Sequence, residues 1–266
     1  MKKKIMVLVP VHCAPKVAMM TLGTWLDAAD GSYTAEIVLG VHQNYHHYHD
    51  GLASLQGLPV SIVSVPEINW TTSTPMEALI RYSKMHSVSL SAMLETVRNE
   101  PFDHLAILDH DLVFKKDFVG WAAEQDADLI GNFMDDREVP VAIQTGVGPL
   151  MFAPKFSVWH MAMTEKFYRR IMDNVNLIFP EIKDGWFYDT FSRVVEMNIT
   201  KWSLRQKIVK KAEMEEMVQH LWSMSFNFGP YMRGYQDYWD RLHEREMAFD
   251  QRFPNGIGHL FGKVGL

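Results

Sequence analysis

The chain has 266 residues, 47% of them apolar and 22% charged, with a formal net charge of −6. That length suits one large domain or two small ones with a substantial core. The acidic balance gives no overall field toward nucleic acid or anionic lipid, although a local basic patch can still act there. The single cysteine, Cys13, excludes an internal disulfide and fits a reducing compartment.

The opening MKKKIMVLVPVH superficially resembles a leader peptide. Its apolar run closes early at Pro10, however, with no small-residue cleavage site after it. Ile5–Pro10 instead reads as a strand covered on both faces. Residues 16–29 read as a helix, Glu36–Val41 as a second strand and Ser61–Val65 as a third. Thr74-Pro75-Met76-Glu77 combines a Thr N-cap, Pro at the first helical position and Glu at the third, opening a helix that runs to about Arg98. His104–Leu108 is the next strand and leads into Asp109-His110-Asp111. Strands follow at Asp128–Phe133 and in the 141–153 region, separated by the turn-like Asp135-Asp136-Arg137. Thr164 caps a helix through about Val175, and Gly185–Met197 suggests another. Ser203-Leu204-Arg205-Gln206 reads as a second capping box, and apolar residues at 204, 208, 209, 212, 217, 218, 221 and 222 keep helical spacing. Residues 232–250 are helical in pattern, and the tail FPNGIGHLFG carries three glycines.

Short apolar runs alternating with helical patterns predict an α/β fold, one compact domain with a helical C-terminal part. No apolar stretch reaches the roughly 18 residues of a membrane span, so a soluble, cytoplasmic protein is expected. Val11-His12-Cys13-Ala14 follows the first strand where a dinucleotide-binding or phosphate-binding loop would place glycines, so neither fingerprint is present.

The acidic pair carries the chemistry. In an extended segment, residues two apart face the same side, so Asp109 and Asp111 are expected to share one cleft with His110 turned away. Two carboxylates at the carboxyl edge of a strand suit a hard divalent cation that completes its shell with water and phosphate oxygens. Open α/β sheets bind ligands at that edge. A solvated surface turn carrying D-x-D by chance is the plain alternative.

The order of segments adds to this. A first strand ending in PVHCAP, then EIVLGV, SIVSV, a long helix and FDHLAILDHDLVF is similar to the GT-A glycosyltransferases, especially the family 2-like enzymes. Val9-Pro10-Val11-His12 resembles the end of that family's first strand, and Asp128–Phe133 its next strand. Gly185-Trp186-Phe187-Tyr188-Asp189-Thr190-Phe191 resembles the segment carrying the acceptor-side acidic pair, with Tyr188-Asp189 where Glu-Asp is usual. The resemblance covers about residues 5–200. It implies a GT-A (Rossmann-like) mixed sheet flanked by helices, with 1–135 as the nucleotide-sugar-binding half, 136–200 as the acceptor-side half and 201–266 as a helical C-terminal extension and tail.

The implied activity moves a sugar from a nucleotide sugar, by family habit a UDP-sugar, to an acceptor hydroxyl. Pro10, Val11, His12, Gln43, Asp109 and His110 would line the donor. Asp109 would touch the ribose or a metal-bound water, and Asp111 would ligate Mn²⁺ or Mg²⁺. Asp189 would be the base of an inverting reaction, with Asp184 a weaker candidate and an N-capping carboxylate the plain reading. GT-A enzymes often recruit a tail histidine as a further metal ligand, which singles out His259. The second strand departs from the family pattern. It ends in Val41-His42-Gln43-Asn44, without the acidic pair that helps hold uracil.

Other stretches divide between function and packing. Tyr45-His46-His47-Tyr48-His49-Asp50 fits no recognised metal-ligand spacing and reads as loop surface or a mobile aromatic cover. Trp159, Trp186, Trp222 and Trp239 can stack on sugars or simply pack. Val147-Gly148-Pro149-Leu150 can shape the acceptor side or be a tight turn. Lys201, Arg205, Lys207, Lys210 and Lys211 form one basic face of the expected 204–222 helix, either a solvated face or a surface for an anionic acceptor such as DNA phosphate. Glycan, small-molecule and hydroxymethylated-DNA acceptors all remain open. A nucleotidyltransferase and a non-catalytic nucleotide-sugar or carbohydrate binder are the competing readings.

Overall fold

A computed structural model of the chain describes residues 2–11, 15–42, 53, 55–66, 75–134, 143–144, 149–153, 155–221 and 235–266. The first half alternates strand and helix: β1 (Lys3–Val11), α1 (Pro15–Ala28), β2 (Tyr33–His42), β3 (Ser61–Val65), α2 (Pro75–Thr96) and β4 (His104–Leu108). Then come β5 (Leu112–Phe114), α3 (Phe118–Ala123), β6 (Leu129–Met134), β7 (Ile143–Gln144), β8 (Pro149–Phe152), β9 (Lys155–Thr164) and α4 (Glu165–Met172). The chain continues through β10 (Glu181–Lys183), β11 (Trp186–Tyr188), α5 (Ser192–Met197), β12 (Gln206–Val209), α6 (Lys211–Met217) and β13 (Val218–His220). It closes with α7 (Tyr235–Arg252) and a 3-10 turn, Gly258–Val264. Among the described residues no helix is long and apolar enough to cross a membrane.

The main sheet has seven strands in the order β12-β6-β9-β4-β1-β2-β3. Neighbours pair in parallel except β9, which runs antiparallel to both β4 and β6. This is the expected mixed α/β sheet flanked by helices. The pleat explains why β1 reads as continuously apolar. Ile5, Val7, Val9 and Val11 enter a core shared with Trp25 of α1 and Phe249 of α7. Met6 and Leu8 enter a second core with Leu90, Met93 and Leu94 of α2 and Phe167 of α4. At Gly40 a Cβ would stand 2.6 Å from the Ser89 hydroxyl and 2.9 Å from the Met93 sulfur, so glycine lets α2 lie close on β2.

One strand has no counterpart in the sequence reading, and two expectations are corrected. The Lys155–Thr164 strand carries no alternating signal, because Phe156, His160, Met161, Ala162 and Met163 are buried between two neighbours in the sheet. The expected Gly185–Met197 helix is a hairpin followed by a short helix. Asp184 and Gly185 both have positive φ (51° and 79°), so Asp-Gly turns β10 into β11, and Phe191 (φ 68°) turns the chain into α5. Asp184 is therefore an exposed turn residue.

The expected 204–222 helix also does not form as one element. Pairing of Gln206–Val209 along β6 turns its first part into the sheet's seventh strand, and only Lys211–Met217 is helical. Tertiary pairing outweighs the local capping pattern. The basic face is dispersed with it. Arg205 pairs with Asp126 and lies 3.7 Å from Asp128. Lys207 donates to the Gln125 side chain at 2.7 Å and lies over the Trp121 ring.

Two smaller sheets sit beside the main one: β10-β11-β8-β7 and the pair β13-β5. Each carries a functional candidate.

Candidate active site

β1, β2 and β3 run to one side of the sheet, and the chain then returns to place β4 on the other side of β1. The crevice at the carboxyl ends of β1 and β4 is thus a topological switch point, where open α/β sheets bind ligands. Asp109, His110 and Asp111 leave β4 directly into it.

The three residues form a turn between β4 and β5, and strand alternation does not hold there. His110 is accordingly not turned away. Its backbone N–H donates to Asp109 Oδ1 at 2.9 Å, and its ring Nδ1 lies 3.0 Å from the same oxygen. Helix α1 clamps the turn from below. The Thr21 hydroxyl donates to the His110 carbonyl at 2.7 Å, lies 2.9 Å from the Leu112 carbonyl, and accepts from the Leu112 N–H at 2.9 Å. Thr24 accepts from the Phe114 N–H at 3.0 Å. Buried peptide groups must find partners, and these two threonines supply them where no strand does.

β5 then pairs with β13, which sets His220 opposite Leu112, and the Leu221 N–H donates to the Asp111 carbonyl at 2.9 Å. His220 Nε2 consequently lies 3.0 Å from Asp111 Oδ1 and 4.0 Å from Asp109 Oδ2. Ligand atoms of Asp109, Asp111 and His220 all fall within 4.8 Å of one another. Two carboxylates and one imidazole at that spacing form a donor set suited to Mn²⁺, and with fewer nitrogen ligands to Mg²⁺.

Electrostatics agree with a site built for positive charge. Burial pushes the His220 pKa down, but Asp109 and Asp111 more than reverse this and raise it to about 9. Burial also raises Asp109, yet hydrogen bonds from His110 and His220 hold it well below the usual carboxylate range. The surrounding histidines are different. Desolvation lowers His42 to about 4 and His160 to about 3, and it lowers His86 as well, against the opposing pull of Asp109 and Asp189.

Asp189 follows β11 in the four-stranded sheet. It is half-buried, ion-paired with Lys155 of β9, and accepts the Thr190 N–H at 2.7 Å. Burial raises its pKa, and the Lys155 ammonium overrides this and holds it below the usual value. The Thr190 hydroxyl ties the turn to α2 by donating to the Ser83 carbonyl at 3.0 Å.

Pro10 and Val11 are buried at the carboxyl end of β1, paired with Gly40 and Val41 of β2. His12, Gln43, the 45–50 histidine loop, Thr74, Asp135–Arg137, Val147 and Gly148 lie outside the described residues, as do Trp222 and the side chains of Pro149, Leu150, Trp159 and Trp239. His259 is not brought to the acidic pair. It is exposed, on a turn that packs against α1 and near Thr34, the second residue of β2, so it stands at the edge where the strands begin. His220 occupies the place that the tail histidine was expected to take. The sequence alone did not point to His220, Thr21, Thr24 or Lys155. Each reaches its partner through pairings that no local pattern announces.

No protein-family model matches the sequence, and no curated protein matches it. Similar solved structures include the mannosyltransferase PcManGT from Pyrobaculum calidifontis in complex with GDP-Man and Mn²⁺. It is 12% identical with a TM-score of 0.46, over 99% of this chain and 69% of that one. The inositol-1-phosphate CTP transferase from T. maritima is 9% identical with a TM-score of 0.44, over 94% and 97% of the two chains. The glycosyltransferase GlyE of Streptococcus pneumoniae TIGR4 is 9% identical with a TM-score of 0.41, over 96% of this chain and 63% of that one.

Proposed function

We propose that this protein is a metal-dependent glycosyltransferase of GT-A type, moving a sugar from a nucleotide sugar to an acceptor hydroxyl. The observation that carries the reading is the Asp109–Asp111–His220 cluster, two buried carboxylates and an imidazole at a switch-point crevice. Asp109, Asp111 and His220 are the residues assigned to hold Mn²⁺ or Mg²⁺, which when bound neutralises the charge of a departing diphosphate. Thr21 and Thr24 keep the acidic turn in place. Pro10, Val11, His12, Gln43 and His110 are assigned to the donor side, within a donor half spanning 1–135. Asp189, kept ionised beside Lys155, is assigned to take the acceptor's hydroxyl proton, which makes the reaction inverting. A UDP-sugar is the first donor to try, given the family resemblance.

The test is a thermal-shift panel of nucleotide sugars with and without Mn²⁺, followed by analysis of the released nucleotide. One donor is expected to stabilise the protein only with Mn²⁺ and to release its nucleoside diphosphate slowly to water. Asp111→Asn is expected to abolish the shift and cut turnover by about 10³-fold. Full metal-dependent turnover in Asp111→Asn would sink the site assignment. Pyrophosphate release from a nucleoside triphosphate would decide for a nucleotidyltransferase instead.

A further inference from the structure

The small sheet that carries Asp189 has an apolar hollow beside it. Trp186 of β11 is 37% exposed and Ile199, just beyond α5, is 58% exposed. With Tyr188 and Val195 they wall a pocket of about 270 Å³. Its polar inventory is short. Glu196 stands exposed at the rim, and the Thr200 hydroxyl is already donated to the Glu196 carbonyl at 2.8 Å. Ser192 also lines the pocket. It is 1% exposed, and its hydroxyl has no hydrogen-bond partner among the described residues. A buried hydroxyl without a partner is destabilising, and a ligand atom placed in the pocket would satisfy it.

The hollow and the candidate base belong to one turn. Tyr188 lines the pocket, Asp189 is the next residue, and the Ser192 N–H donates to the Asp189 carbonyl at 3.0 Å. We propose that this pocket seats a neutral aromatic alcohol of one or two rings, with its ring against Trp186 and Ile199. Its identification as the acceptor rests on the glycosyltransferase reading, whereas the ring pocket itself does not. Three features select this ligand. The volume lies just under the roughly 300–1,000 Å³ of pockets that enclose drug-sized ligands, which suits a small ring system. Apolar walls would strip water from a glycan's hydroxyls without replacing it. Glu196 at the mouth disfavours an anionic ligand such as a phosphate-linked carrier.

The experiment is a ligand-observed NMR titration of the full chain with 2-naphthol, with methyl β-glucoside as the comparison. Saturable 2-naphthol binding is expected, weakened about tenfold by Trp186→Ala and by Ile199→Glu. Ser192→Ala is expected to weaken it by a smaller factor, about threefold. Trp186 and Ile199 face solvent, so an unchanged circular-dichroism melt confirms that these two variants fold. Absence of 2-naphthol binding, equal binding by the Trp186 and Ile199 variants, or tighter Trp186-dependent binding of the glucoside overturns the proposal. Metal-dependent hydrolysis of the nucleotide sugar by the wild-type protein is followed in parallel. Naphthol binding without hydrolysis refutes the transferase reading and keeps the pocket, and hydrolysis without naphthol binding does the reverse.

Discussion

Asp111 and Asp189 are both carboxylates withdrawn from water, yet their surroundings treat them in opposite ways. Asp189 faces one ammonium, Lys155, and the charges cancel. Asp111 shares His220 with Asp109, and the three side chains bring ligand atoms within 4.8 Å of one another. An ammonium has no lone pair to offer a metal, whereas carboxylates and an imidazole gathered at that spacing can be shared by one cation. The contrast teaches that burial of an acid does not by itself mark a cation site. The donor atoms gathered around it do.

The comparison can be broken most forcefully at the Lys155–Asp189 pair. Lys155→Met leaves the mostly buried Asp189 carboxylate without its ammonium, and a loss of about 3–5 kcal/mol in urea unfolding is expected. Lys155→Met combined with Asp189→Leu should recover most of that loss. A neutral single variant would mean that Lys155 does not stabilise the Asp189 carboxylate.

A smaller effect is expected at the acidic turn. Thr21→Val strands the Leu112 N–H and the His110 carbonyl, at a cost of about 1–3 kcal/mol. Mn²⁺ should then raise the melting temperature less than in the wild type. Thr21→Ser, which keeps the hydroxyl, should behave like the wild type. If Val is tolerated on both counts, the clamp from α1 does not position the acids.

The mildest test is the pH dependence of stability in the metal-free protein. His42 and His160 are neutral in the fold, at about 4 and about 3, while the unfolded chain protonates both near the ordinary 6.5. The unfolded state therefore binds more protons below pH 6.5, and stability falls as pH drops from 6.5 through 4. His220 has the reverse sign. Raised to about 9, it contributes fully below 6.5, and that contribution is lost as pH rises through 9. Urea midpoints at pH 5, 6.5 and 9 should peak at the middle value, and His160→Gln should flatten the acid side. A flat profile from pH 5 to 6.5 would contradict neutral, buried histidines.

Much of this arrangement was legible from sequence. β3 and β4 fall at the expected residues, and the helix opened by Pro75 ends two residues short of expectation, at Thr96. Thr164 caps α4, accepting from the Phe167 N–H at 3.4 Å. Asp184-Gly185 was a readable hairpin signal between the short strands EIK and WFY, but the helical spacing beyond it masked the turn. The 204–222 segment misled for a deeper reason. A strand, a short helix and a second strand placed apolar residues at spacings that one long helix would also show.

The sequence by itself determined the apolar strands, the long second helix and the acidic pair at a strand's end. These follow from local periodicity and from where an apolar run must stop. Only the tertiary structure decided which groups meet that pair. His220 arrives through a three-residue strand paired with β5, Thr21 through the packing of α1, and Lys155 reaches Asp189 through an antiparallel strand inside a parallel sheet. Such contacts join segments far apart in the chain, and their free energy comes from burial and pairing that no single window contains.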